Sequence, residues 1–122
     1  MSLTPRESLK LCLQNADFNA ALTFAERVYL ADPDDPEANF ALGMHYLFAK
    51  NYSHAEPFLT RCLAKRPQDP AVLNNLAIAE RELGRYELAE KHIREALSLL
   101  PDSPHLHRTL DSILRAKQRI WR

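Results

Sequence analysis

The chain holds only two glycines and two cysteines in 122 residues, and its sixteen basic side chains are cancelled by sixteen acidic ones. Each scarcity removes a class of protein. With Gly43 and Gly84 alone, no glycine-rich loop can cradle a phosphate. Cys12 and Cys62 stand far apart and form no CxxC pair, so they read as small apolar side chains of a reduced, intracellular protein. No run approaches about 18 apolar residues, and "MSLTPRESLK" lacks a basic region followed by an apolar one, which predicts a soluble, unexported, cytoplasmic protein. The opening Met1-Ser2-Leu3 is compatible with an expression leader, and the chain with a segment of something longer. Zero net charge argues against a dominant field for nucleic acid or a membrane surface. The charge is uneven, however, because residues 104–122 carry five basic side chains against Asp111 alone.

Proline is what the chain has in plenty. Pro33-Asp34-Asp35-Pro36, Pro67-Gln68-Asp69-Pro70 and Pro101-Asp102-Ser103-Pro104 each begin 34 residues after the last. Rows of that length also align Ala21, Ala55 and Ala89, then Phe18, Tyr52 and Tyr86, and Val28, Cys62 and Ala96, without a gap. Each row contains two helical patterns. In the third, Val72, Leu76, Ala79 and Leu83 make one apolar stripe and Ala89, Ile93, Ala96, Leu97 and Leu100 the next. The second row has Leu42, Tyr46 and Ala49, then Ala55, Phe58, Leu59, Cys62 and Leu63.

The pairs are predicted to be antiparallel hairpins. A proline after the second helix cannot continue the ladder of hydrogen bonds, and the next proline suits the first turn of the following helix. The four-residue corner therefore ends one hairpin and starts another, a reading that displaces a PxxP ligand for an SH3-type groove. Alanine at 21, 55 and 89 lets paired helices approach closely, with the aromatic residue just before it closing the corner. Pro57 is expected in the first turn of its helix, counted from Ser53 or His54.

Leu42-Gly43, Tyr46, Tyr52, Ala55, Leu59, Cys62 and Pro67, followed by Leu76-Ala77, Gly84, Tyr86, Ala89, Ile93, Ala96 and Pro101, resemble the tetratricopeptide repeat (TPR) pattern. The resemblance implies an all-α fold: a right-handed superhelical stack of antiparallel helix hairpins, about seven helices in a single domain over residues 1–122. Repeats are expected at 2–35, 36–69 and 70–103, with a capping helix at 104–122. The first repeat departs most, having Pro5 and Ser8 where the family places large apolar residues, so its first helix is expected to begin late or pack loosely. Asn39 and Leu73 stand where the family has tryptophan. In the last segment Leu106, Leu110, Ile113, Leu114, Ile120 and Trp121 form one stripe, and Arg108, Arg115, Arg119 and Arg122 lie opposite.

The search for chemistry returns little. Asp32-x-Asp34-Asp35 lacks the glycine and glutamate of a calcium loop and reads as an inter-helix turn. His105-x-His107 places two rings about 200° apart around a helix, poor geometry for one metal. His107 and Asp111 are read as a surface pair, and His45 as a partly buried, hydrogen-bonded histidine. No nucleophile, base and orienting acid stand at a recognisable spacing, so neither catalysis nor a cofactor is expected.

Binding remains. In the family, first helices line a concave groove that receives peptides. Carried over by position, the groove takes Arg6, Lys10 and Leu13 from the first repeat and Glu37, Phe40, Met44, Leu47 and Phe48 from the second. Asn74, Asn75, Ile78, Arg81 and Glu82 come from the third, with Arg108 and Arg115 from the cap. The competing view of Phe40 and Phe48 is packing between repeats. Three such side chains at about 1.5–3 kcal/mol each, less the cost of ordering a peptide, predict micromolar affinity, about −8 kcal/mol. The family's two-carboxylate clamp for chaperone tails matches poorly: its places hold Arg6, Lys10, Ala41, Ala71 and Asn75. The arginine stripe reads as a solvated face or a site for an acidic partner, and the lack of interleaved aromatics argues against nucleic acid. The sequence thus predicts a non-enzymatic adaptor that captures an extended or helical segment of another protein, as a co-chaperone or secretion-assembly helper. The alternative is a scaffold that self-associates through the C-terminal helix and Trp121.

Overall fold

A computed structural model describes residues 2–120, which form seven α-helices joined by short turns. They are α1 (Pro5–Gln14), α2 (Phe18–Ala31), α3 (Pro36–Phe48), α4 (Tyr52–Lys65), α5 (Pro70–Glu82), α6 (Tyr86–Leu99) and α7 (Pro104–Ile120). Helices pack in chain order, each on its predecessor, with further contacts of α1 on α3, α3 on α5 and α5 on α7. The product is a row of hairpins α1–α2, α3–α4 and α5–α6 closed by α7.

The proline corners work through the residue between them as much as through the prolines. Asp35, Asp69 and Ser103 each precede a first-turn proline and cap the new helix. Ala38 N–H donates to Asp35 Oδ2 at 3.0 Å, Ala71 N–H to Asp69 Oδ1 at 3.0 Å and Leu106 N–H to Ser103 Oγ at 3.4 Å. These bonds satisfy donors that the start of a helix leaves open. Asn39 reinforces the first corner: its side chain is fully buried and Nδ2 donates to the carbonyls of Pro33 (2.8 Å) and Asp35 (2.9 Å). An amide thus ties the corner where the family has an indole. Asp32 Oδ1 meanwhile accepts from Asp34 N–H, so the acidic cluster forms the inter-helix turn.

Within each hairpin the turn has one form. Ala16, Lys50 and Gly84, each 34 residues after the last, have φ of 55°, 59° and 79°. The following N–H reaches back to the helix: Asp17 to Cys12 O, Asn51 to Tyr46 O and Arg85 to Glu80 O, each at 2.8 Å. Together with the bonds from Ala16, Lys50 and Gly84 to Leu13, Leu47 and Arg81, these are Schellman closures, which require a left-handed residue. Only the third repeat supplies glycine for it.

Ala21, Ala55 and Ala89 have no exposed surface and sit with Leu9, Leu59, Leu73, Leu76 and Ile93 at the centres of the core clusters. α1 begins at Pro5 and buries Leu9 alone. α7 buries Leu106 and Ile113 against the third hairpin. The Ile120 side chain, Trp121 and Arg122 lie outside the described residues.

Four expectations are corrected. α4 starts at Tyr52, so Pro57 lies beyond the first turn, inside the helix, where it leaves the Ser53 carbonyl without its intrahelical donor. Ala49 and Leu100 are not core: both are exposed C-cap residues, where the chain leaves the packing surface. His45 is exposed, its ring edge against Tyr46 at 5.1 Å, as its counterpart Leu11 is exposed. His107 does not pair with Asp111; its Nε2 donates to the Pro101 carbonyl at 2.7 Å, a bond that closes the third corner.

Candidate functional site

The first helices of the hairpins, with α7, form one side of the stack, and side chains bridge each to the next. Asn75 Nδ2 donates to Met44 Sδ at 3.1 Å, Asn74 Nδ2 lies 3.0 Å from His105 Nε2, and Arg81 Nη1 donates to Ser112 Oγ, all three pairs separated by 31 residues. Arg6 and Glu37 stand at the same interval with N and O 3.9 Å apart, and Arg6 also pairs with Asp35 at 2.8 Å. Neighbouring repeats are therefore offset by three residues along this face. A residue touches the one that precedes its own equivalent by nearly a turn.

The stitching separates the expected groove residues into two groups. Met44 (8% exposed) and Asn74 (4%) are buried, covered by the next helix, and cannot offer a surface to a ligand. Asn75 is spent in part on Met44. Arg6 is held by Asp35, and Glu37 is buried and pairs with Arg66 at 2.9 Å. Arg81 is half-buried, and Glu82 holds it at 2.8 Å.

The second group stays open. Phe48 is 62% exposed, although its ring edge meets Phe18 of α2 at 5.5 Å. Leu13, Phe40, Leu47 and Ile78 are half-buried. Phe40, Leu47 and Phe48 fall within one arc of α3, since positions three, four and seven apart share a helix face. Lys10, Arg108 and Arg115 are exposed and pair with no carboxylate among the described residues.

Two features were not legible as site residues. His105 and Ser112 of α7 anchor the stitching, and Arg119, seen in the sequence only as part of a stripe, lines a cleft with Arg81 and Arg115. Lys117 is withdrawn from that side, because Nζ is held at 3.1 Å by both Glu87 and Glu90 of α6. The bonds to Glu90 and Glu87 raise the lysine pKa, and the hydrogen bond from Arg94, followed by that from Lys117, lowers that of Glu90.

Two reactive groups are tied up, Cys62 by burial and His92 by a partner. Burial pushes the Cys62 thiol up to about 11, which leaves it a packing residue. His92 Nδ1 lies 2.7 Å from Glu80 Oε1, and that bond raises the imidazole pKa.

Family models described as tetratricopeptide repeat match residues 49–113 and, in a second form, 11–70. The chain belongs to the tetratricopeptide repeat family. No curated protein matches it. Among solved structures, a MamA D159K mutant is similar at TM-score 0.77 with 23% identity, over 96% of this TPR chain and 70% of that one. The first TPR of Spaghetti (RPAP3), bound to the HSP90 peptide SRMEEVD, is similar at TM-score 0.77 with 19% identity, over 93% and 90% of the two chains. The second TPR domain of human RPAP3, in complex with the HSP70 peptide SGPTIEEVD, is similar at TM-score 0.73 with 18% identity, over 90% and 92%. At these identities the likeness is one of fold. The family is one of protein-interaction scaffolds, and the chain shares its all-α architecture. No helix among the described residues is long and apolar enough to cross a membrane.

Proposed function

We propose that this TPR chain is a docking module whose concave side, built by α1, α3, α5 and α7, holds an extended or helical segment of another protein. The observation that carries the reading is Phe48, left 62% exposed on a helix whose core face is already filled by Ala38, Ala41 and Leu42. The contact with Phe18 leaves most of that ring open, and a partner side chain laid beside it, Phe40, Leu47 and Ile78 removes apolar surface from water. Lys10 at one end and Arg108 and Arg115 at the other supply charge that fixes direction more than it adds affinity. Met44 and Asn74 leave the contact surface and act instead as its floor.

The two RPAP3 domains hold peptides, which supports a peptide as the ligand class for this fold. It does not carry their peptide over. Of the places matching the family's clamp, Ala41 is buried and apolar, Ala71 has no charge, and Asn75 is engaged with Met44. A co-chaperone or secretion-assembly role therefore rests on some partner other than one read by that clamp.

The test is affinity capture from cells that make the protein, followed by direct titration of peptides from the captured partner. Burying the exposed part of Phe48 is worth about 1–2 kcal/mol, so Phe48→Ala is expected to weaken binding about 5- to 30-fold with helicity unchanged. Equal affinity for wild type and variant contradicts the groove. Sedimentation that shows association growing with concentration favours a scaffold instead.

A further inference from the structure

The cleft at the C-terminal ends of α5 and α7 has a charge pattern that the apolar part of the face lacks. It encloses about 470 Å³ and is lined by Arg81 and Glu82 of α5, Tyr86 of α6, and Ser112, Arg115 and Arg119 of α7. Three guanidinium groups thus converge where one carboxylate stands. Arg81 is fixed in place: Nε and Nη2 donate to Glu82 Oε1 at 3.1 and 2.8 Å, and Nη1 donates to Ser112 Oγ. Its remaining N–H groups are unspent, since a guanidinium carries five. Arg115 and Arg119 are one turn apart on α7, both exposed, and neither pairs with a carboxylate among the described residues. Like charges at that spacing repel, and an anion between them relieves the repulsion.

We propose that this cleft is the subsite for an acidic segment of the partner protein, with two neighbouring carboxylates received in the arginine forks. The proposal rests on the reading of the chain as a docking module and adds the chemistry of its partner. Guanidinium groups match carboxylates bidentately, which fixes orientation as well as charge. A protein segment is favoured over nucleic acid on two grounds. The chain as a whole is neutral and offers no extended field to a polyphosphate, and Tyr86 is a lone aromatic ring in the lining, where successive bases need successive platforms. None of Arg6, Lys10, Ala41, Ala71 and Asn75, the places matching the family's clamp, lines this cleft.

The experiment titrates the isotope-labelled protein with a decapeptide of alternating glutamate and alanine, its glutamine counterpart, and an oligouridylate of equal length, following backbone amide shifts. The glutamate peptide is expected to move Arg81, Ser112, Arg115 and Arg119, and the glutamine peptide to leave them still. Arg115→Gln/Arg119→Gln is expected to weaken the glutamate peptide about tenfold, and Glu82→Gln to strengthen it about twofold by removing the carboxylate of the lining, both with wild-type helicity. Unchanged affinity in the double arginine variant, shifts confined to Lys10 and Phe48, or tighter binding of the oligouridylate overturns the proposal. A protein that binds its captured partner through Phe48 yet ignores the glutamate peptide loses the acidic subsite alone. Indifference to Phe48→Ala as well removes the docking reading beneath it.

Discussion

Gly43→Ala sets two effects of opposite sign against each other inside the second hairpin. In an exposed helix interior the change stabilises by about 1 kcal/mol, because glycine loses more backbone freedom on folding. Here a Cβ on residue 43 would lie 2.7 Å from Leu59 Cδ2, 2.8 Å from Cγ and 3.4 Å from the Leu59 backbone nitrogen. Leu59 has no exposed surface, and with Cγ as well as Cδ2 under 3.0 Å the side chain as a whole has to shift. Forcing a methyl group into such a core costs about 1–3 kcal/mol, so the net expectation is a loss of about 1 kcal/mol. The assay is urea unfolding followed by far-ultraviolet circular dichroism on wild type, Gly43→Ala, Leu59→Ala and the double variant. Leu59→Ala alone costs about 2–5 kcal/mol. In its background the collision is gone, and Gly43→Ala is expected to stabilise by about 1 kcal/mol. The cycle then yields a coupling of about 1–3 kcal/mol, which is the overpacking term itself. A Gly43→Ala protein more stable than wild type by the full helix-propensity gain would refute the close approach of α3 and α4.

Lys50 holds a left-handed conformation that Gly84 adopts freely at the equivalent place; Lys50→Gly is expected to raise stability by about 0.5–1 kcal/mol, and Gly84→Ala to lower it by about 1, in the same unfolding assay. Asn39→Ala leaves the Pro33 carbonyl without its side-chain donor, while the Asp35 carbonyl keeps the backbone N–H of residue 39 at 3.0 Å; the change is expected to cost about 1–3 kcal/mol, with Asn39→Asp costing more because it buries a charge. His92 has a folded pKa raised above 6.5, chiefly by its bond to Glu80 with the Glu80 and Glu95 charges adding, against burial and Lys91. Its contribution to stability is therefore fully present below 6.5 and lost as pH climbs through the raised value. The thermal midpoint of wild type is expected to fall over that range relative to His92→Gln; parallel profiles would show that the pair contributes nothing.

The hairpin architecture was legible because its determinants are local. Prolines three residues apart can only end and start helices, and alanine recurring at 21, 55 and 89 marks where two helix axes come close. Asp35, Asp69 and Ser103 stood in plain view but read as punctuation, although their side chains cap the helices. The left-handed position at 16, 50 and 84 was hidden by alanine and lysine in two of its three occurrences. The groove was legible only as a set of equivalent positions. Rows of 34 say which residues correspond, whereas contacts across the face run at 31, so the rows did not show that α5 covers Met44, that α7 covers Asn74, or that Asn75 and Arg81 are engaged in part by Met44 and Ser112. Phe48 and Arg115, placed on the same face by position, are exposed. Whether a partner uses them is the proposal.

The central claim is that ligand lies against the first helices, and amide-shift mapping with a peptide from the captured partner tests it most directly. Perturbations grouped on α1, α3, α5 and α7, strongest around Phe48, are the predicted result. Perturbations grouped on α2, α4 and α6 would contradict it.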